Sequence, residues 1–394
     1  MNLEWLIVGG GIHGVHIATR LIGEAGVDRS KIRIIDPGEN LLERWQKCTE
    51  VTGMTHLRSP SVHNLAIEPM SLSFFGESIN IPKSVLFAEP YDRPHLNFFN
   101  EHCSRVIRKY GLEELHIRSQ ALSCSVNCDE AIVETSAGEK ISSCNVILAI
   151  GAGDQPMWPQ WSKGMGDLVH HIFDSDFSGW PIKEERIAVV GGGISAGQVA
   201  LRLQDEGHDV HLISRHEMRE HQFDSDPGWL GPKYMVGFQE EKDLKKRRQI
   251  ISGARHRGSV PPDVNLSLAK SIGSGRIKFH KLGVSSIDKY QDVATLNLDD
   301  GTSFQIDRVL LATGFMSKRP GGKMVDQLIT ESQLPCAECG YPIVDTDLCW
   351  HPRLYVSGPL AELEIGPSSR NISGARRAAK RIVRVARKKS IELG

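Results

Sequence analysis

The chain repeats one local pattern: an apolar run, a glycine-rich turn, a helical stretch and a second apolar run. The first copy has its apolar run at 6–8 and its turn at 9–14, and the second copy has them at 186–190 and 191–197. A strand, a tight turn, a helix and another strand form a βαβ unit with parallel strands. The two turns begin 182 residues apart (191 minus 9), so the pattern predicts two α/β domains rather than a short structural repeat.

The first turn has the glycine spacing that dinucleotide binding requires. Unpaired N–H groups and a positive dipole at a helix N-terminus favour an anionic diphosphate. Glycine at Gly9, Gly11 and Gly14 permits, in that order, the tight turn, the approach of the backbone to the phosphates and close packing of helix on strand. Asp36 ends the next strand 22 residues after Gly14, where a carboxylate binds the ribose hydroxyls.

The second turn keeps this spacing but lacks the acid. Gly191, Gly193 and Ala196 match the G-x-G-x-x-G/A form, and the following strand ends in Ser214 and Arg215. A carboxylate at that place would repel a 2′-phosphate, whereas a hydroxyl and a guanidinium bind one. The second unit is therefore predicted to prefer NADPH to NADH. The alternative is that Arg215 stacks on the adenine or caps a surface strand.

Two further apolar strands mark where the chain crosses between domains, because 145–153 and 308–315 each contain a strand followed by Ala-x-Gly. We predict an α/β protein with two Rossmann-like dinucleotide-binding domains, the second inserted in the first. The first domain is assigned to 1–165 plus 305–394, and the second to 166–304.

The second domain contains a polar, charged stretch at 217–262. It is too long for an ordinary loop, and long loops of this kind are often functional. We predict a partly helical insertion that acts as a lid over the active site, or a segment that is disordered in part.

Charge, hydropathy and cysteine content argue against a nucleic-acid-binding, membrane-spanning or disulfide-rich protein. The net charge of −1 and the pI of about 7.0 do not suggest a nucleic-acid partner. No stretch reaches the roughly 18 apolar residues that a membrane span needs, and the start at 1–8 is typical of a buried strand rather than a signal peptide. Eight scattered cysteines favour free thiols in a reducing cytoplasm. A homo-oligomer is compatible with the sequence, but no feature requires it.

Three segments carry a resemblance to known flavoproteins. The turn at 191–196 is similar to the NADPH turn of the flavin-dependent monooxygenases, and 311–315 is similar to their late Ala-Thr-Gly-aromatic motif. Trp45, shortly after Asp36, is similar to the tryptophan that follows their FAD ribose acid. Over nearly its whole length the chain resembles flavoproteins with two dinucleotide-binding domains. Within that class it is most similar to the lysine/ornithine N-hydroxylases and the flavin-containing monooxygenases.

The chain departs from these families at two places. Of the phenylalanine, glycine, histidine and aromatic pattern that often precedes the NADPH domain, only Gly166 and His170 keep the spacing; Gly164 and Asp174 stand where aromatic residues are expected. Flavoprotein reductases usually hold the flavin ribityl chain with a Gly-Asp pair near the C-terminus, and here proline follows Gly358. The missing acid argues against a disulfide reductase and is compatible with a monooxygenase.

The resemblance implies FAD in the first domain, NADPH in the second, and a C-terminal segment that returns to the first domain. It implies that NADPH reduces the flavin, that O2 adds to it as a hydroperoxide, and that a nitrogen or sulfur of a small metabolite attacks the distal oxygen. N-hydroxylation is the leading version. The residues predicted to bind the cofactors are Gly9, Gly11, Gly14, Asp36, Trp45, Gly151, Gly191, Gly193, Ser195, Ala196, Ser214, Arg215, Thr313, Gly314 and Gly358.

Arg58 and His56 are the candidate catalytic residues. By analogy with the class, the segment 54–60 follows the helix near the flavin ring, where a cation can stabilise negative charge on reduced flavin or contact the substrate. The alternative is that both residues lie in a solvated loop.

Cysteine patterns keep a second function open. Cys336 and Cys339 form a C-x-x-C pair, with Cys349 and His351 nearby, and Cys48 follows the first ribose acid. These residues are compatible with a flavin reductase that acts on a disulfide, a quinone or a carrier protein without inserting oxygen. Zinc binding by the four later residues and ordinary reduced thiols are the other interpretations. No metal site is predicted. A third hypothesis is a protein that binds or senses dinucleotides without turnover.

Overall fold

The computed structural model describes residues 3–290 and 293–393. The strands within this part of the chain are β1 Leu3–Val8, β2 Ile32–Asp36, β3 Phe87–Ala88, β4 Arg93–Pro94, β5 His116–Arg118, β6 Ala121–Val126, β7 Ala131–Thr135, β8 Lys140–Leu148, β9 Val169–His171, β10 Arg186–Val190, β11 Asp209–Ile213, β12 Arg219–Glu220, β13 Ser259–Val260, β14 Ile277–His280, β15 Val284–Tyr290, β16 Val293–Leu298, β17 Ser303–Ile306, β18 Arg308–Leu311, β19 Cys349–His351 and β20 Leu354–Val356. The helices are α1 Ile12–Gly23, α2 Glu43–Thr52, α3 Ser71–Ser78, α4 Lys83–Leu86, α5 Leu96–Tyr110, α6 Ile194–Asp205, α7 Pro232–Glu240, α8 Leu244–Ala254, α9 Pro262–Gly273, α10 Gly322–Glu331, α11 Glu362–Ile365 and α12 Ile372–Leu393.

The first domain is organised around β1. Its sheet has the order β19-β20-β8-β1-β2-β5, and β7 and β6 extend it from the first half of β8. Strands β20, β8, β1, β2 and β5 are parallel. Side chains alternate across the sheet, so Trp5 and Ile7 pack with α1, α5 and α12, whereas Leu6 and Val8 pack with α10. The C-terminal segment therefore completes the first domain.

The second domain is built on a five-stranded parallel sheet with the order β14-β11-β10-β18-β9. Helices α6 and α9 cover one face, and the antiparallel strands β15, β16 and β17 cover the other. The predicted fold class is confirmed. The boundary lies later than predicted: β18 is a central strand of the second sheet, so this domain extends to Leu311 rather than ending at 304.

Two chain segments join the domains and pair with each other. The N–H of Met157 donates to the carbonyl of Gly314 at 2.9 Å, and the N–H of Met316 donates to that of Gln155 at 2.8 Å. The segments leave the carboxyl ends of β8 and β18, next to the two glycine turns. Both turns thus lie beside one two-stranded connection between the domains.

The polar stretch at 217–262 contains β12, α7, α8 and β13. Strands β12 and β13 pair at its two ends and close it into one unit, which we call the insertion. The stretch is thus partly helical, and its role as a lid over the active site stays a prediction. In the described residues no helix has both the length and the apolar character needed to cross a bilayer.

Candidate active site

The first glycine turn is open where a diphosphate would bind. Gly9 has φ +111°, and a Cβ on Gly14 would overlap the carbonyl oxygen of Gly9, so both positions require glycine. A Cβ on Gly11, by contrast, would meet no protein atom within 4 Å. No side chain caps α1 at Gly11, which leaves its first N–H groups available to an anion. These residues fit the diphosphate of FAD.

Asp36 lies beside this turn, as predicted. Its carboxylate accepts hydrogen bonds from the N–H groups of Gly10 at 2.6 Å and Gly38 at 2.9 Å. A carboxylate has about four lone-pair sites, so these two bonds leave capacity for ribose hydroxyls. Gly151 lies just past β8 with φ +67° and nothing within 4 Å of its virtual Cβ.

Gly358 lies near the start of α1, two residues after the end of β20. It has φ +61°, and its virtual Cβ would be 3.7 Å from the His13 ring. Nδ1 of His13 is 2.8 Å from Oγ of Ser357, and burial lowers the pKa of His13 to about 4. The neutral imidazole therefore links the start of α1 to the C-terminal segment. Position 13 falls inside the turn motif, but its spacing gives no sign of this contact.

The second turn, like the first, joins a parallel strand to an uncapped helix start, but more protein atoms lie close to its glycines. A Cβ on Gly191 would be 2.5 Å from the carbonyl oxygen of Ala312, and α6 starts at Gly193 without a side-chain cap. Ser195 and Ala196 lie in the first turn of α6. The uncapped start of α6 suits a second diphosphate, but Cα of Gly258 lies 3.5 Å from the virtual Cβ of Gly193, where the first turn has open space at Gly11.

The two residues predicted to bind a 2′-phosphate have different environments. Ser214 is buried, and its hydroxyl donates to the carbonyl of His216 at 2.8 Å, so it stabilises the turn. Arg215 is exposed at the carboxyl end of β11 and makes no hydrogen bond or ion pair with the described residues. The guanidinium is therefore the group of the two that is available to a phosphate.

Replacing Arg215 with alanine is expected to lower the preference for NADPH over NADH roughly tenfold, because a charge-assisted bond to the 2′-phosphate is lost. The measurement is the ratio of kcat/KM for flavin reduction by the two nucleotides. Arg276→Ala, at the amino end of the parallel strand β14 and equally exposed, is the matched control and should leave the ratio unchanged.

The connection between domains supplies the next predicted residues. Oγ1 of Thr313 donates to the carbonyl of Met157 at 2.5 Å and lies 3.1 Å from Nε2 of His171. Gly314 has φ +78° and open space at its virtual Cβ. Phe315 stacks on Phe173 with ring centroids 5.0 Å apart. Thr313 thus fixes the junction, while Gly314 leaves room beside it.

Trp45 points toward α5. Its Nε1 donates to Oδ1 of Asn100 at 3.1 Å, and its ring lies 5.8 Å from that of Phe99. The neighbouring Arg44 donates to the carbonyls of Gly153 and Phe173. A role of Trp45 in FAD binding stays a prediction, and the observed contacts of this helix fix α2 to α5 and to the connection between the domains.

Arg58 holds the insertion. Its guanidinium donates to the carbonyls of His221 at 2.5 Å, Gln222 at 2.8 Å and Phe223 at 3.0 Å. His56 packs edge-on against His95 with ring centroids 5.2 Å apart. Catalytic roles for Arg58 and His56 stay predictions. The alternative of a solvated loop does not describe Arg58, because three carbonyls of the insertion accept from it.

A buried carboxylate fastens the insertion to the C-terminal segment. Glu362 is 1% exposed and pairs with Arg370 at 2.7 Å and with Arg248 of α8. Arg248 also lies over the ring of Tyr341, 3.8 Å from its centroid, and the Tyr341 hydroxyl contacts Arg370 at 3.0 Å. Burial alone would raise the pKa of Glu362, but the hydrogen bonds and charges of the two arginines lower it. We call these four residues the latch; no local sequence motif marks them.

Apolar contacts reinforce the latch. Met235 and Phe238 of α7 are buried with Leu363, and a Cβ on Gly366 would lie 3.3 Å from the Met235 sulfur. Arg247 donates to the carbonyl of Leu363 at 2.9 Å. The insertion therefore starts and ends in the second domain but packs against the first.

The cysteines do not form a metal site. Among the residues that the structure describes, no three His, Cys, Asp or Glu side chains group as metal ligands would. Cys349 donates its S–H to the carbonyl of His351, and all eight thiols are free.

Comparison with known proteins identifies the family. Residues 6–251 match the model of the pyridine nucleotide-disulphide oxidoreductases, and this protein belongs to that family. The probable indole-3-pyruvate monooxygenase YUCCA3 of Arabidopsis thaliana is 24% identical over 214 residues, which are 48% of this chain and 48% of that protein. The chain thus spans about half the length of the curated relatives it matches.

Solved structures share the whole fold. The ornithine N-hydroxylase of Kutzneria sp. 744 superposes with a TM-score of 0.79 at 16% identity, covering 99% of this chain and 100% of that one. The bacillithiol disulfide reductase of Bacillus cereus has a TM-score of 0.63 at 17% identity, covering 99% and 100%. At these identities the comparison establishes the fold and its two-domain arrangement.

Proposed function

We propose that this protein is an NADPH-dependent FAD monooxygenase that N-hydroxylates, or S-oxygenates, a small metabolite with O2. The observation that carries this function is the position of the insertion. It starts and ends in the second domain, reaches Ser317 just past the connection through Arg257, and is fastened to the C-terminal segment by Glu362. An oxygenating flavin enzyme needs such a cover, because water must be kept from the reactive site.

Each part of the site has a physical task in this activity. The first turn and Asp36 would hold FAD, and the second turn with Arg215 would hold NADPH. FAD, once bound, passes electrons from NADPH to oxygen. Gly314 leaves space beside the second turn, and the neutral His13 with Ser357 positions the C-terminal segment against α1. Arg58 and the latch, which bind the insertion, would hold it over the site as a lid.

The similarity to a bacillithiol disulfide reductase keeps reduction without oxygen insertion as the second candidate. A thiol mechanism needs a thiolate, which a lowered pKa supplies. Burial instead raises the pKa of Cys48 and of Cys336. These two environments favour the monooxygenase over a reductase that works through Cys48 or the Cys336/Cys339 pair.

Rapid mixing tests the proposal. Protein reduced anaerobically with NADPH is mixed with oxygenated buffer while the flavin spectrum is followed. We expect a spectrally distinct species between reduced and oxidised flavin that persists while NADP+ is present. Reoxidation in a single step, with NADP+ bound, contradicts the monooxygenase. Cys48→Ser and the double variant Cys336→Ser/Cys339→Ser should leave turnover unchanged; loss of turnover in either favours the reductase.

A further inference from the structure

The two glycine turns differ in what lies over them. At Gly11 of the first turn, a virtual Cβ meets no protein atom within 4 Å. At the equivalent Gly193, the virtual Cβ lies 3.5 Å from Cα of Gly258 and 3.9 Å from its backbone nitrogen. Gly258 belongs to loop 255–258, which joins α8 to β13 in the insertion. The insertion thus places backbone atoms over the second turn, at the position that is open in the first.

The covered position is the one that a dinucleotide needs. The glycine at this place in the motif lacks a side chain so that the backbone can approach the phosphates. Non-bonded heavy atoms pack at separations of about 3.5–4.0 Å, so one layer of atoms already fills the space beside Gly193. The backbone of Gly258 and a diphosphate cannot occupy that space together. The loop must therefore leave the turn before a dinucleotide can lie along it.

A histidine ring fits between the loop and the turn. The ring of His216 would lie 2.7 Å from a Cβ on Gly192 and 3.0 Å from a Cβ on Gly258. Its Nδ1 is 2.8 Å from the carbonyl oxygen of Glu217, which fixes the orientation of the ring. Gly258 also has φ +67°, a conformation that favours glycine. The closed arrangement therefore depends on the absence of a side chain on both sides of this ring.

Polar contacts hold the loop in this position. Arg255 pairs with Asp224 at 2.8 Å, and the N–H of His256 donates to the carbonyl of Asp224 at 2.8 Å. Nη1 of Arg257 donates to Oγ of Ser317 at 2.8 Å, just past the connection between the domains. Arg257 is exposed, so water can replace this last bond when the loop moves. The loop is thus fixed in the closed state by contacts that can be broken one at a time.

We propose that loop 255–258 is an autoinhibitory plug of the second dinucleotide site, which the nicotinamide dinucleotide displaces when it binds. This inference rests on the proposed NADPH site. Arg215 stays exposed while the plug is closed, so the 2′-phosphate can bind first and the diphosphate after the plug has left. The closed population lowers the apparent affinity for the nucleotide by the fraction of molecules that are open. Binding of the nucleotide and movement of the insertion are therefore coupled.

Hydrogen exchange of the FAD-loaded, full-length protein, with and without saturating NADP+, tests the direction of the movement. The amides of 255–258 are expected to exchange faster when NADP+ is bound, because the plug has lost its contacts with the turn. A loop that instead closes over a bound nucleotide exchanges more slowly. Unchanged or slower exchange at 255–258, in protein that calorimetry shows to be saturated with NADP+, overturns the plug.

Ser317→Ala tests the energetic coupling without changing any charge. It removes the bond to Arg257, so more of the population is open, and NADP+ should bind roughly two- to fivefold more tightly. Arg257→Ala added to Ser317→Ala should bring no further gain, because both substitutions break the same bond. Arg276→Ala, which removes a cation elsewhere in the second domain, is the control and should leave the affinity unchanged. An unchanged or weaker affinity in Ser317→Ala overturns the plug.

The outcomes separate this inference from the proposed function. FAD content and Tm of each variant report whether it is folded. If neither wild type nor Ser317→Ala binds NADP+, and NADPH does not reduce the flavin, the proposed function fails and the plug fails with it. If wild type binds NADP+ but either test gives its contrary result, the plug fails and the proposed function stands.

Discussion

Gly14→Ala is expected to yield protein that melts at a lower temperature and is purified without FAD. The new Cβ would overlap the carbonyl oxygen of Gly9, and neither atom can turn away because both are fixed to the backbone of the β1–α1 turn. Forcing a methyl group into such a space costs about 3 kcal/mol. The strand and helix must separate, so the N–H groups that face the diphosphate lose their arrangement. Thermal melting and the ratio of flavin to protein absorbance measure the two effects.

Gly11→Ala is the matched control, because its Cβ meets no protein atom within 4 Å. We expect the apoprotein to fold with a change in unfolding free energy within about 1 kcal/mol. FAD affinity should nevertheless fall at least about tenfold, since the methyl group occupies space that the phosphates need. A Gly14→Ala variant that retains FAD, or a Gly11→Ala variant that binds FAD as well as wild type, contradicts the assignment of this turn.

Removing the latch carboxylate is expected to have the second large effect. Glu362→Ala leaves the partly exposed Arg248 and Arg370 without their shared partner, and the cost should lie below the about 3–5 kcal/mol of breaking a fully buried ion pair, because solvent reaches both guanidinium groups. The insertion should then detach from the C-terminal segment. Limited trypsin digestion would report this as faster cleavage at the arginines and lysines of α8. Asp347→Ala, which removes a more exposed partner of Arg384, is the control and should change digestion little.

The latch also predicts a pH dependence. The folded-state pKa of Glu362 lies below its ordinary value of 4.5, so its contribution to stability is fully present above that pH. The contribution is lost as the pH falls from 4.5 through the lower folded-state pKa. Wild-type protein should therefore lose stability over this acidic range more steeply than Glu362→Gln. Parallel pH profiles for the two proteins contradict the assignment.

Local stereochemistry explains which parts of the site were predictable. Positions 9, 14 and 191 require glycine because a Cβ there would overlap backbone atoms of the same turn or of the residue that follows the adjacent strand. The motif therefore predicts the local geometry. The acid at Asp36 follows from the fixed length of a βαβ unit. The domain boundary was misplaced because the apolar run at 308–311 suits a central strand of either sheet, and only pairing with β10 and β9 decides between them.

Contacts across the chain were not predictable in the same way. Arg248 and Glu362 are 114 residues apart, and Arg58 is 163 residues from the first carbonyl it binds. An arginine in a polar stretch is typical of a solvated surface, and no periodicity distinguishes the ones that are buried. The predicted role of Arg58 came from analogy with the class, which places its segment after the helix near the flavin ring, whereas its observed partners depend on how the insertion packs.

The path of the chain has a consequence for synthesis on the ribosome. All five strands of the second sheet lie between Val169 and Leu311, so that domain is complete before β20 and α12 have been made. The first domain starts earlier but must wait for β20 and α12, which pack on β8 and α1. Domains generally fold as units during translation. The nascent chain therefore matures from its middle outward, and chaperones would meet the exposed apolar face of α1 until α12 has been made.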